Sequence, residues 1–128
     1  MDKNILIVED SLDYIKMLKK LLNDNGYLVT TANSGEEGIE KLKNNNNEPI
    51  DIIITDLHMP GISGLDMAKE VSSKNISKAP IIILTTETSV EMRKYGKQAG
   101  IHAWVIKPIQ EEKFLETIDL IFQRYCKN

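Results

Sequence analysis

With 128 residues, 41% of them hydrophobic and 27% charged, the chain suits one domain around one core and is too apolar to be disordered. A formal net charge of -3 excludes a broadly basic nucleic-acid surface, and the apolar runs are too short to span a bilayer. The opening MDKNILIVED has no signal-peptide pattern, and a single cysteine, Cys126, excludes an internal disulfide and a cysteine metal cluster. A single cytoplasmic domain over residues 1–128 is the expectation, with no membrane insertion and no direct nucleic-acid contact.

The first apolar run is Ile5-Leu6-Ile7-Val8, which predicts a strand. Leu12, Ile15, Leu18, Leu21 and Leu22 then line one stripe of a first helix, and Gly26 suits its stop. A weaker strand follows at Tyr27 to Thr31. Ser34-Gly-Glu-Glu37 reads as a capping box that opens a second, short helix through Ile39 and Leu42. The asparagine run at 44–47 reads as a polar connection. The third strand runs from Ile50 to Thr55, interrupted near its start by Asp51. Leu65, Ala68 and Val71 mark a third helix, and Ile81 to Leu84, opened by Pro80, a fourth strand. The fourth helix, around Ser89 to Ala99, carries Glu91, Arg93, Lys94 and Lys97 and is the least amphipathic. Trp104-Val105-Ile106 is the fifth strand. Phe114, Leu115, Ile118, Ile121, Phe122 and Tyr125 form the apolar face of a fifth helix.

Strands one, three and four are almost continuously apolar, as strands buried on both faces are. Alternation of strand and helix predicts an α/β fold with right-handed crossovers. Five units are too few for a closed eight-fold barrel, which leaves an open, doubly wound parallel sheet.

In such a sheet, ligands bind outside the carboxyl ends of the strands. Glu9 and Asp10 follow strand one, Asp56 follows strand three, Thr85, Thr86 and Glu87 follow strand four, and Lys107 and Pro108 follow strand five. If strands one and three are neighbours, three carboxylates share one pocket with a hydroxyl and an ammonium at its rim. Clustered carboxylates repel, and a hard divalent cation resolves the repulsion. Mg²⁺ takes oxygen ligands and commonly joins one or two carboxylates to a phosphate. Lys107 and Thr85 suit phosphoryl oxygens, and Asp56 suits a nucleophile that would form an aspartyl phosphate.

Taken singly, each motif has a plainer reading. Glu9 and Asp10 could be solvated acids opening a helix, Lys107 a surface lysine, Thr85 a β-branched strand residue. All must hold at four strand ends at once. His58 and His102 with Cys126 make no zinc set, and His102 reads as a loop histidine without a role.

The segments VED, ITDLHMPGISG, LTTE and WVIKP, in this order and spacing, resemble response-regulator receiver domains of the chemotaxis (CheY-like) type. The resemblance spans Lys3 to about Tyr125. It implies a flavodoxin-like (βα)5 sheet of order 2-1-3-4-5. It implies that Asp56 accepts a phosphoryl group, with Thr85 and Lys107 assisting. It implies Mg²⁺ held by Asp10 directly, Glu9 through water, Asp56, and the backbone carbonyl of His58. Lys107 would precede a cis bond to Pro108, and Thr85 with Trp104 would form the switch. Met59 and Pro60 would shape the loop after Asp56, and Gly61 and Gly64 would permit its tight backbone.

The phosphoryl donor would be a phosphohistidine on a sensor histidine kinase or a phosphotransfer protein. The output protein would dock on the face of helix four, strand five and helix five. Three departures from the family pattern stand out. The switch aromatic, usually Tyr or Phe, is Trp104. Thr86 replaces an often smaller residue. His58 and Glu87 flank the path of attacking water and are expected to set the aspartyl-phosphate lifetime.

A stand-alone signalling receiver, not a turnover enzyme, is the first expectation. A receiver excised from a longer DNA-binding regulator or hybrid kinase is the alternative. A Mg²⁺-dependent phosphohydrolase with an aspartate nucleophile is a rival from another class. That rival commonly has a second acid two residues after the first, where this chain has His58. A pure interaction module is disfavoured by the complete set Glu9, Asp10, Asp56, Thr85 and Lys107.

Overall fold

The structure, a computed structural model, describes residues 3–44 and 49–126. Strands and helices alternate along the chain. They are β1 (Asn4–Val8), α1 (Leu12–Asp24), β2 (Leu28–Ala32), α2 (Gly35–Asn44), β3 (Ile52–Asp56), α3 (Gly64–Ser73), β4 (Ile81–Thr85), α4 (Val90–Gln98), β5 (Ala103–Ile106) and α5 (Glu111–Tyr125). The five strands are all parallel and lie in the order β2-β1-β3-β4-β5. This is the flavodoxin-like arrangement, and it makes β1 and β3 neighbours.

The apolar runs explain the layering. Leu6, Val8, Ile53 and Ile83 point to one face and pack with Met67, Ala68 and Val71 of α3. Ile5, Ile7, Ile54 and Ile82 point to the other and meet Leu18 and Leu22 of α1 with Phe114 and Ile118 of α5. Alternate side chains of a strand face opposite sides, so strands covered on both sides must be apolar throughout. Each such side chain contributes about 2 kcal/mol by leaving water.

Several local expectations are corrected. β2 begins at Leu28, not Tyr27, whose ring stacks on Phe122 at 5.6 Å between centroids. β3 begins at Ile52 because Asp51 is drawn out of the run; its carboxylate accepts the Asn4 N–H at 2.8 Å. Leu12 is 69% exposed and lies outside the apolar stripe of α1. Asn44 is the last residue of α2, and the rest of the asparagine run lies outside the described residues. Ser34 accepts the Glu37 N–H, but the Glu37 carboxylate accepts from Asn33 N–H rather than from Ser34. The reciprocal capping box is at α3, between Ser63 and Asp66.

His102 has a structural role. Its N–H donates to the Ile81 carbonyl at 2.8 Å and its Nδ1 accepts the Ile81 N–H at 3.1 Å. Its ring meets Tyr125 edge-on at 4.7 Å. It thus fastens the start of β4 to the chain entering β5. Among the described residues, no helix is long and apolar enough to cross a membrane.

Candidate functional site

Three strands of this sheet end in charge at the same edge. β1 runs apolar to Val8 and delivers Glu9, which is 2% exposed, and Asp10, which is exposed. β3 ends on Asp56 itself, half-buried between its neighbours. Carboxylate oxygens of Glu9, Asp10 and Asp56 all lie within 4.8 Å of one another. β5 leads into Lys107, whose peptide bond to Pro108 is cis. Its Nζ donates to Glu9 Oε1 at 2.9 Å and to Asp56 Oδ2 at 3.3 Å.

Backbone groups fix the acids further. The Ser11 N–H donates to Glu9 Oε2 at 3.1 Å, and the Leu57 N–H donates to Asp56 Oδ1 at 2.8 Å. Gly64 opens α3 directly under Asp56. A Cβ there would collide with the Asp56 carbonyl oxygen, so the close approach admits only glycine. Gly61 holds φ at +85° in the same loop, beside the Glu36 carboxylate.

Electrostatics follow from this crowding. Burial pushes the Glu9 carboxyl above its ordinary range; the Lys107 and Ser11 hydrogen bonds oppose that, and the Asp56 charge reinforces it. Burial disfavours the Lys107 ammonium, but its bonds to Glu9 and its attraction to Asp56 outweigh burial and raise it. Three carboxylates face one lysine that is bonded to two of them. Such a set fits a small divalent cation that takes oxygen ligands.

The sequence-predicted residues divide into two groups. Glu9, Asp10, Asp56 and Lys107 come together directly. Thr85 and Trp104 meet through Glu87 instead. Thr85, 1% exposed, accepts the Glu87 N–H on its hydroxyl at 3.0 Å. The Trp104 indole Nε1 donates to the Glu87 carbonyl at 3.1 Å, and its ring lies against Gly96 of α4. The Glu87 carboxylate stands 3.7 Å from His58 Nε2, so the loops after β3 and β4 face each other across the pocket. The His58 side chain is exposed.

Tyr14 was missed in the sequence. The Lys107 ammonium sits 4.2 Å above the centre of its ring. Its place on α1 one turn past Asp10 was the available signal, since the start of that helix borders the pocket.

Comparison with known proteins agrees with this geometry. The family model described as "Response regulator receiver domain" matches residues 5–119. This chain belongs to the response regulator receiver family. It is 31% identical to chemotaxis protein CheY of Pseudomonas aeruginosa over 122 residues, covering 94% of this chain and 96% of that one. It is 33% identical to the transcriptional regulatory protein GlrR of Escherichia coli, covering 91% of this chain and 25% of GlrR. The solved structure of Vibrio cholerae chemotaxis protein CheY4 superimposes with a TM-score of 0.86 at 35% identity, over 94% of this chain and 99% of that one. The chain is therefore a receiver domain of two-component signalling, and receivers as a family are signalling domains rather than turnover enzymes of the usual kind. Receivers bind Mg²⁺ at an acidic pocket, and this chain has an acidic cluster, Glu9, Asp10 and Asp56, whose oxygens could hold a metal ion. Receivers also act between kinases and output proteins.

Proposed function

We propose that the whole chain is one stand-alone receiver, located in the cytoplasm, that accepts a phosphoryl group on Asp56 from a phosphohistidine. An Asp56 carboxylate oxygen attacks phosphorus, the N–P bond breaks, and its electron pair leaves on the imidazole of the donor kinase or phosphotransfer protein. Asp10, Glu9, Asp56 and the His58 carbonyl would hold Mg²⁺, which supplies charge neutralisation for the incoming phosphoryl oxygens. Lys107 neutralises a phosphoryl oxygen, and the Thr85 hydroxyl donates to another. The observation that carries this reading is the Lys107 Nζ bridging Glu9 and Asp56 within a triad of acids from two neighbouring strands.

The output is a shift between two packings. Thr85 and Trp104 are both tied to the backbone of Glu87, Thr85 at its N–H and Trp104 at its C=O, in the two peptide units that flank its Cα. Turning the Thr85 hydroxyl to a phosphoryl oxygen frees the Glu87 N–H and changes the anchor of the indole. That movement reaches the face of α4, β5 and α5, where an output protein docks. His58 and Glu87, paired across the entrance, meter the water that hydrolyses the aspartyl phosphate.

A second reading has its own observation. The match to GlrR covers only a quarter of that protein, so this chain also fits the receiver part of a longer regulator.

Trp104 makes the test direct. Its fluorescence is followed on adding Mg²⁺ and then acetyl phosphate or beryllofluoride, with intact-mass spectrometry in parallel. The expected result is a response at both steps and one phosphoryl group per wild-type chain, with none on Asp56→Asn. An unlabelled wild type, or equal labelling of Asp56→Asn, overturns the reading. Repeated turnover of a phosphate ester would instead favour a hydrolase.

A further inference from the structure

We infer that Tyr14 is a positioning residue for phosphoryl transfer, its ring acting as a fixed seat for the Lys107 ammonium. The inference rests on the reading of Asp56 as acceptor. Lys107 ends in three donors on a flexible four-carbon stem. Two donors point at carboxylates, Glu9 Oε1 at 2.9 Å and Asp56 Oδ2 at 3.3 Å. The remaining side of the ammonium lies over the Tyr14 ring, 4.2 Å from its centre. The negative face of an aromatic ring attracts a cation at this distance, more strongly where water is excluded. The Lys107 side chain is only 16% exposed.

The Tyr14 backbone is fixed in the first turn of α1, where its N–H donates to the Ser11 hydroxyl, and its own hydroxyl lies by the Ile109 backbone. The ring therefore spans from α1 to the segment that carries Lys107, two residues before Ile109.

The loading of the pocket gives this seat its importance. A cation on Glu9 and Asp56 competes with Lys107 for their oxygens. Phosphorylation turns one Asp56 oxygen into an acyl phosphate bridge, and Lys107 must pass from the carboxylate to a phosphoryl oxygen. Both carboxylate bonds change during the cycle, whereas the ring contact does not have to. A neutral partner keeps the ammonium near the line of transfer while its charged partners exchange. Misplacement of such a group by about 1 Å is enough to slow a transfer severely.

The test replaces Tyr14 by Phe, by ring-fluorinated Phe of increasing fluorine content, and by Leu. Fluorination drains the ring face of negative charge with little change in shape. In metal-free protein, NMR should show the Lys107 ε-protons shifted upfield by the ring in wild type and Tyr14→Phe, and unshifted in Tyr14→Leu. The rate of labelling by acetyl phosphate should stay within about twofold for Phe. It should fall stepwise with fluorine and drop about fivefold for Leu, the factor equal to ~1 kcal/mol of cation–π attraction. In a Lys107→Met background the same substitutions should leave the residual rate unchanged.

A flat fluorine series, no ring shift, or an equal loss in the Lys107→Met background overturns the inference. Wild-type labelling in each of those cases leaves the acceptor role of Asp56 intact, so the two ideas fail separately.

Discussion

The two ends of the sheet handle polar groups in opposite ways. At the end where the strands begin, polar groups are matched one to another. Asp51 accepts the Asn4 N–H, the Asp51 N–H donates to the Asn4 carbonyl, Asn4 Oδ1 accepts the Thr30 hydroxyl, and His102 accepts the Ile81 N–H. At the end where the strands finish, like charges are crowded and one lysine is shared between two acids. The first arrangement closes a structure. The second holds an excess of negative charge that a cation and a phosphoryl group can use. Local satisfaction marks the stabilising end, and concentrated, incompletely neutralised charge marks the working end.

Breaking this contrast should have unequal effects. Lys107→Met leaves buried Glu9 without its cation. In metal-free solution it should lower unfolding stability by about 3 kcal/mol, the range for breaking a buried pair. Mg²⁺ should restore much of that loss, because the metal meets the same acids. Urea unfolding with and without Mg²⁺ measures both; a loss that ignores the metal would show that the acids are not its ligands.

Acid should weaken Mg²⁺ binding next. Burial raises the folded Glu9 pKa above 4.5, so protons compete with the cation at higher pH than for an ordinary glutamate. Affinity is full above the raised pKa and is lost as pH falls through it, at roughly tenfold per pH unit per proton displaced. Titrating Trp104 fluorescence with Mg²⁺ across acidic pH reads this slope. Glu9→Gln should flatten it; an unchanged slope in that variant would remove Glu9 from the linkage.

The opposite end should respond without touching the chemistry. Asp51→Ala removes an acceptor from the Asn4 N–H and should cost about 1 kcal/mol. Its labelling by acetyl phosphate should match wild type. A slowed rate would mean that the two ends are coupled.

The smallest effect belongs to His102. Burial lowers its folded pKa below 6.5, so the unfolded chain takes up the proton first. The stability tied to its neutral form is complete above pH 6.5 and fades as pH falls through the folded pKa. Comparing pH-dependent melting of wild type and His102→Asn should show a shallow acid slope only in wild type.

Legibility in the sequence followed the same division. The apolar runs of β1, β3 and β4 identified buried parallel strands because only apolar residues tolerate two covered faces. The residues just past those runs identified the acidic edge, since chain direction in a parallel sheet sends every strand end to one side. The strand order came from the resemblance. Edge strands were harder to place: Tyr27 looked like part of β2 but stacks on Phe122, a partner 95 residues away in sequence. Leu12 matched the helical period of α1 yet remains exposed, because periodicity gives a stripe but not the width of the neighbour that covers it.

Sequence by itself determined the alternation of strand and helix, the apolar strands covered on both faces and the placing of Glu9, Asp10, Asp56, Thr85 and Lys107 at strand ends. These follow from local rules, since hydrophobic period and chain direction act over a few residues. Only the tertiary structure decided that Lys107 bridges two acids over the Tyr14 ring, that Glu87 holds both Thr85 and Trp104, and that His102 fastens β4. Apart from Thr85 with Glu87, those contacts join groups far apart in the chain, and their geometry depends on how the elements settle on one another.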